Sequence, residues 1–279
     1  MSALLYSKDT PMRVAVAGLG NVGGTVATRL AAGEIPQIHL TAICSKDPEK
    51  ARRFGAGLKP PTLVVPLAEL PEHADVIVEC ATYDAFAEIA RVALTAGKTL
   101  VAVSAGALGA NLDLIELAET HGGVIRISSG ALPGLDLVRS AKEGGIKGAK
   151  LTSRMRPESL AKEDYIIAKG FDFSTPPAEP VHVFSGTARE ASAAFPRHLN
   201  VATTLSLAGA GLDNTVVELW ADDGIPGVIH RVEVESDVVG LEMVAHNRPS
   251  PTNKKTAAVV APSVLATLRS MVSALQLGN

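Results

Sequence analysis

The stretch VAVAGLGNVGG, residues 14 to 24, runs from an apolar, β-branched segment straight into four glycines. Within it Gly18, Gly20 and Gly23 form Gly-x-Gly-x-x-Gly. Such a turn either cradles a dinucleotide or simply lets a helix pack close to a strand, and only its surroundings decide between the two.

Working outward, the first half of the chain alternates short apolar runs with helix-sized segments. RVAVAG (13 to 18), LTAICS (40 to 45), DVIVECA (75 to 81), TLVAVS (99 to 104) and GVIRISS (123 to 129) are nearly continuous in apolar residues, as parallel strands covered on both faces require. Between them, Val22, Val26 and Leu30 fall on one helical face, and Phe86, Ile89, Ala90 and Ala93 do the same before Gly97. This is the βαβ rhythm of a doubly wound sheet, so the glycine turn lies where a dinucleotide fingerprint belongs, between strand and helix. Gly18 then serves the tight turn, Gly20 the approach of a pyrophosphate and Gly23 the packing of helix on strand.

The rhythm changes after SGALPGLD. KLTSRMR (150 to 156), VHVFSG (181 to 186), TVVELWA (215 to 221), VIHRVEVE (228 to 235) and GLEMVAH (240 to 246) read as strands, with an Ala-rich helical stretch at 187 to 211 interrupted by Pro196. The short SDVVG link makes the last two antiparallel. The expected fold is α/β: an N-terminal doubly wound Rossmann domain, residues 1 to 134, and a second α+β domain on a mixed, largely antiparallel sheet, residues 135 to 251. The remaining segment, 252 to 279, is amphipathic and helical, with Pro262 suited to a first turn.

With 279 residues, 47% hydrophobic and 20% charged, the chain is long and apolar enough for a full core. The net charge of -3 comes without a basic stripe, so nucleic acid is not expected as a partner. The start MSALLYSKDTPMR reads as no export signal, and no apolar run spans a bilayer, so a cytoplasmic protein is expected. Cys44 and Cys80, each in an apolar run, read as reduced and inert, and no His/Cys cluster has metal-ligand spacing.

The residues expected at the cofactor are Gly18, Gly20, Asn21, Val22 and Gly23, with Cys80 and Ala81 at the end of the 75 to 81 strand. The cofactor is NAD or NADP. A carboxylate at the end of the second strand selects NAD by holding the ribose 2′-hydroxyl. Here Ser45 and Lys46 stand in that place and Asp47 comes late, which favours NADP. In VIHRVEVE, His230 shares a strand face with Val232 and Val234, while Arg231, Glu233 and Glu235 alternate to the other. A histidine on such a face is either a satisfied core residue or an acid–base group. Arg156, Lys254 and Lys255 read either as solvated surface charges or as cations for an anionic ligand.

The motifs SGALPGLD, FSGTAREASAAFPRHLNVATTLSLAGAGLD, WADDGIPGVIHRVEV and PSPTNKKTA, in this order, resemble the L-aspartate dehydrogenase family of NAD(P)-dependent amino acid dehydrogenases. The resemblance covers nearly the whole chain. It implies that His230 is catalytic, and that Ala131 in the SGA turn and Asn200 in NVA bind the cofactor. It also implies a homodimer, a C-terminal helix packed on the nucleotide domain, and a small amino or imino dicarboxylate substrate. Three departures stand out: Asp223 replaces a proline, Val228 replaces an asparagine, and Arg156-Pro157 replaces Lys-Pro. A different small hydroxy or keto acid on the same scaffold, or a silent sensor of the cofactor, are the alternatives. The chemistry expected of His230 is that of a neutral imidazole, with a pKa near working pH, that takes the amine proton and activates the water that hydrolyses the imine.

Overall fold

The computed structural model describes residues 6 to 253 and 256 to 278. They form two units: residues 6 to 128 with 260 to 277, and residues 129 to 253 and 256 to 259 with 278.

The first unit is built on six parallel strands: β1 (Met12–Ala17), β2 (Ile38–Cys44), β3 (Leu63–Val64), β4 (Val76–Glu79), β5 (Thr99–Ala102) and β6 (Val124–Ile127). Their order, β3-β2-β1-β4-β5-β6, is the doubly wound one, in which the strand order reverses between β1 and β4. All are parallel to their neighbours. The continuous apolar runs of β1 and β4 have their expected cause, since Val14 to Ala17 and Val76 to Val78 are buried on both faces, whereas β6, at the sheet's edge, leaves Val124 47% exposed. Two-residue β3 has no counterpart among the expected strands. The helix Asn21–Ala31 follows β1 and buries Val26, Ala27 and Leu30, and the helix Phe86–Thr95 buries Phe86, Ile89, Ala90 and Ala93.

The helix Val260–Val272 joins this unit, shorter than the 252 to 279 span read from the sequence. Its Val264, Leu265, Leu268 and Val272 enter the same core as Val26, Leu30, Ile35 and Ile38. Each such side chain, once buried, contributes about 1.5–3 kcal/mol. Pro262 occupies its first turn, where a missing N–H costs nothing.

The second unit carries β7 (Ile146–Met155), β8 (Val181–Thr187), β9 (Thr215–Ala221), β10 (Val228–Ser236) and β11 (Gly240–Asn247), ordered β11-β10-β7-β9-β8. Every neighbouring pair is antiparallel except β7 with β9. The helices Leu135–Glu143, Ala188–Ala194 and Asn200–Ala208 cover one face, where Val138, Ala191 and Leu205 meet Leu151, Val217 and Val232. The Ala-rich stretch is therefore two helices, parted at Phe195 and Pro196. The first opens with a capping box between Thr187 and Glu190, and Phe195 turns in against Tyr165 and Phe184.

Candidate functional site

At the end of β1 the chain turns through Gly18, whose φ of +96° is a left-handed conformation that side chains other than hydrogen resist. A Cβ there would stand 2.6 Å from the carbonyl oxygen of Cys80, and one at Gly23 would stand 2.0 Å from that of Gly18. The two glycines thus let the first turn of the helix Asn21–Ala31 press against β1 and the end of β4, which brings Gly18, Gly23, Cys80 and Ala81 together. Gly20 differs, because a Cβ there would meet nothing within 4 Å. As N-cap it offers no capping side chain, and the helix's first turn holds no acidic residue. Open space in front of an uncapped, positively polarised helix end suits a pyrophosphate, so the chain's own residues fit a dinucleotide there. Asn21 and Val22, both half-buried, form the first turn.

Beyond β2, Ser45 is half-buried and Lys46 exposed. Asp47 is committed elsewhere: it caps the helix Pro48–Gly57, accepting from the Lys50 N–H at 2.9 Å. The carboxylate that comes late in sequence is therefore a helix cap, and the position beside the second strand is left to a hydroxyl and an ammonium. Burial pushes the Cys44 thiol up to about 11 and raises that of Cys80, so both remain unreactive thiols.

One residue of this region escapes the sequence reading. Glu79 ends β4 fully buried, and its carboxylate accepts from the backbone N–H groups of Ala81 (2.8 Å), Val103 (3.2 Å) and Ser104 (3.0 Å) and from the Ser104 hydroxyl (3.0 Å). It ties the loop after β4 to the loop after β5, beside the point where the strand order reverses. Burial raises its pKa, and these hydrogen bonds oppose the shift.

In the second unit His230 lies on the inner face of β10, 3% exposed, between Val232 and the apolar end of the strand. Its register partner on β7 is Ser153, wholly buried, and Ser153 Oγ lies 2.9 Å from His230 Nδ1. Burial alone depresses the imidazole to a pKa of about 4. This corrects the expectation of a value near working pH. Among the described residues no carboxylate hydrogen-bonds the ring to favour its charged form, so His230 is neutral at neutral pH.

Ala131, in a turn that Gly130 shapes with a φ of +58°, has its carbonyl held by the Asn247 amide at 3.3 Å. Asn200 begins the helix Asn200–Ala208, and just ahead of it the ring of His198 lies 3.1 Å from the buried carboxylate of Glu163. Arg156 is engaged: its guanidinium donates to the carbonyls of Asp223 and Ile225 (both 3.2 Å), to the Asp223 carboxylate (2.9 Å) and to Glu158 (3.0 Å). It pins the 222 to 227 loop, and its role as a substrate cation is correspondingly weakened. Arg154 holds Asp222 of the same loop at 2.7 Å. Lys254 and Lys255 lie outside the described residues. Among those described, no group of three or more His, Cys, Asp or Glu residues is placed to hold a metal, and no helix is long and apolar enough to cross a membrane.

Comparison with known proteins bears on both units. The family profile described as "Homoserine dehydrogenase, NAD binding domain" matches residues 18–128, and that described as "Aspartate dehydrogenase, C-terminal" matches residues 136–271. The L-aspartate dehydrogenase of Bradyrhizobium diazoefficiens is 42% identical, over 97% of this chain and 95% of its own. L-aspartate dehydrogenase 3 of Bordetella bronchiseptica is 42% identical as well, over 98% and 100%. The crystal structure of aspartate dehydrogenase from Thermotoga maritima superposes with a TM-score of 0.71 at 23% identity, covering 96% of this chain and 99% of that one, which makes the fold a shared one.

Proposed function

The chain belongs to the L-aspartate dehydrogenase family, and on that premise we propose that it interconverts L-aspartate with iminosuccinate, and hence with oxaloacetate and ammonia. The likeness to L-aspartate dehydrogenases along nearly the whole chain carries this reading. Bound NAD or NADP supplies the hydride acceptor or donor. The turn at Gly18, Gly20 and Gly23, with Asn21 and Val22, holds the pyrophosphate, Cys80 and Ala81 flank it, and Ala131 and Asn200 complete the cofactor's contacts.

His230 is the catalytic residue. In the oxidative direction its neutral imidazole accepts the proton that the amine loses, releases it to solvent, and, neutral again, takes a proton from the water that attacks the imine carbon. In the reductive direction it donates that proton back. Burial keeps the ring neutral and free to accept but lowers its basicity, and the negative charge of a bound dicarboxylate offsets this by favouring the imidazolium through which both directions pass. The protein works as a cytoplasmic homodimer.

Ser45 and Lys46 make NADP the better cofactor, because a hydroxyl and an ammonium accept a 2′-phosphate that a carboxylate would repel. The engagement of Arg156 with the 222 to 227 loop favours a second reading, a different small hydroxy or keto acid on the same scaffold.

Purified protein with oxaloacetate, ammonium and each reduced cofactor tests the reading by loss of nicotinamide absorbance, with an ammonium-free control. Ammonium-dependent turnover is expected, and its absence with cofactor binding intact would replace aspartate by another acid. His230→Ala is expected to lower kcat about 100-fold or more while the cofactor dissociation constant barely moves. Lys46→Ala is expected to weaken NADP by about three- to ten-fold and leave NAD unchanged, an exposed cation being worth about 1 kcal/mol. Equal titration curves for both cofactors in wild type and variant would remove Lys46 from the site.

A further inference from the structure

The inward row of β7 reads Ala149, Leu151, Ser153, Met155, and the serine interrupts an otherwise apolar set. A hydroxyl with no exposure needs a partner, since leaving it without one costs about 1–3 kcal/mol. The partner the structure provides is the ring of His230, opposite it across the β7 and β10 ladder. We propose, building on the reading of His230 given above, that Ser153 is the positioning residue of this histidine: its hydroxyl holds Nδ1, fixes the ring, and leaves Nε2 as the nitrogen that exchanges protons with substrate.

Among the described residues Ser153 stands alone in that task. From β7 the ring faces Leu151, Ser153 and Met155, and from β11 Met243, Ala245 and Asn247, none of them titratable. The helix Leu135–Glu143, which packs on β10, turns Leu135, Val138 and Ala141 inward, while Asp136, Arg139, Lys142 and Glu143 are exposed. Among the described residues no hydrogen bond within the chain engages Nε2. A hydroxyl also differs from the carboxylate that orients many acid–base histidines. It can donate to Nδ1 or accept from Nδ1–H, and it carries no charge that would hold the imidazolium. The ring is thereby held in place without being made more basic, and its charged form awaits an anionic substrate.

Ser153→Ala, Ser153→Thr, Ser153→Asp and His230→Ala are compared with wild type in the ammonium-dependent assay. Ser153→Ala is expected to lower kcat about ten-fold or more with cofactor KM unchanged, and Ser153→Thr to restore most of it. Ser153→Asp is expected to move the alkaline limb of the kcat pH profile of this reductive assay upward, because a carboxylate beside Nδ1 favours the protonated ring that donates. If Ser153→Ala melts earlier yet keeps kcat and pH profile, while His230→Ala is dead, the hydroxyl is only a core filler and the inference falls with the function intact. If wild type itself fails to turn over, the proposed function falls, and nitrogen-15 spectra of the histidine rings decide the pairing on their own. One neutral tautomer for His230 in wild type, lost or mixed in Ser153→Ala, upholds the pairing, and identical spectra overturn it.

Discussion

The glycine turn and the Ser153–His230 pair are two ways of building a site. In the turn the chemistry belongs to the backbone, and its residues matter for the side chains they lack: Gly18 and Gly23 are five positions apart, and a single methyl on either collides with main chain. In the pair the chemistry belongs to side chains 77 positions apart, brought face to face by strand register. The first kind of site tolerates no added volume at Gly18 or Gly23. The second tolerates isosteric change but not a slip of one residue, which would turn every inward side chain of β10 outward.

The sharpest test of this contrast lies within the turn. Gly23→Ala places a Cβ 2.0 Å from the Gly18 oxygen, so main chain must move, and a loss of about 100-fold in cofactor affinity, or of the fold, is expected by titration and thermal melting. Gly20→Ala meets no such obstacle and is expected to leave the melting temperature alone while weakening cofactor about ten-fold. If the two variants behave alike, the division of labour among the glycines is wrong.

The pair is probed next by pH. His230 is held at about 4 in the folded chain, whereas an unfolded histidine titrates near 6.5, so between these values the unfolded state binds the extra proton. The stability from keeping the ring neutral is therefore complete above about 6.5 and drains away as the pH falls toward about 4. Urea unfolding at neutral pH and at about pH 5 is expected to show His230→Gln losing less stability than wild type, by on the order of 1–2 kcal/mol. Parallel losses would mean that the ring is hydrated and not held by burial.

The smallest effect concerns the 222 to 227 loop. Arg156 and Asp223, both about one-third exposed, are partners at 2.9 Å. A double-mutant cycle with Arg156→Lys and Asp223→Pro is expected to give a coupling of about 0.5–1 kcal/mol in kcat/KM. Additive effects would separate the two positions.

Much of this was legible in the sequence, and the reason lies in distance along the chain. The parallel strands announced themselves by continuous apolar runs, the turn by three glycines between strand and helix, and the face of His230 by strict alternation with Val232 and Val234. Residues acting across the fold left no local trace. Glu79 sat inside the apolar run DVIVECA, and only the convergence of β4 and β5 shows that its carboxylate gathers three N–H groups. Ser153 read as one more strand residue until its register partner was known. Arg156 and Asp223 appeared as two unrelated departures from the family, yet they contact each other and form one local solution. Two-residue β3 is too short to have any periodicity, and its place is set by pairing with β2. The basicity of His230 was misread because burial, and not residue type, sets it.

The helix Val260–Val272 has a consequence for how the protein is made. Because it fills the groove over Val26, Leu30 and Ile38, the nucleotide-binding unit begins the chain but is closed by a segment that emerges from the ribosome after residues 129 to 259. The second unit is contiguous, apart from a terminal scrap, and has all its strands in hand before that helix arrives. The first to be synthesised is thus the last to be finished, and during the interval its uncovered apolar groove is the surface a chaperone would meet.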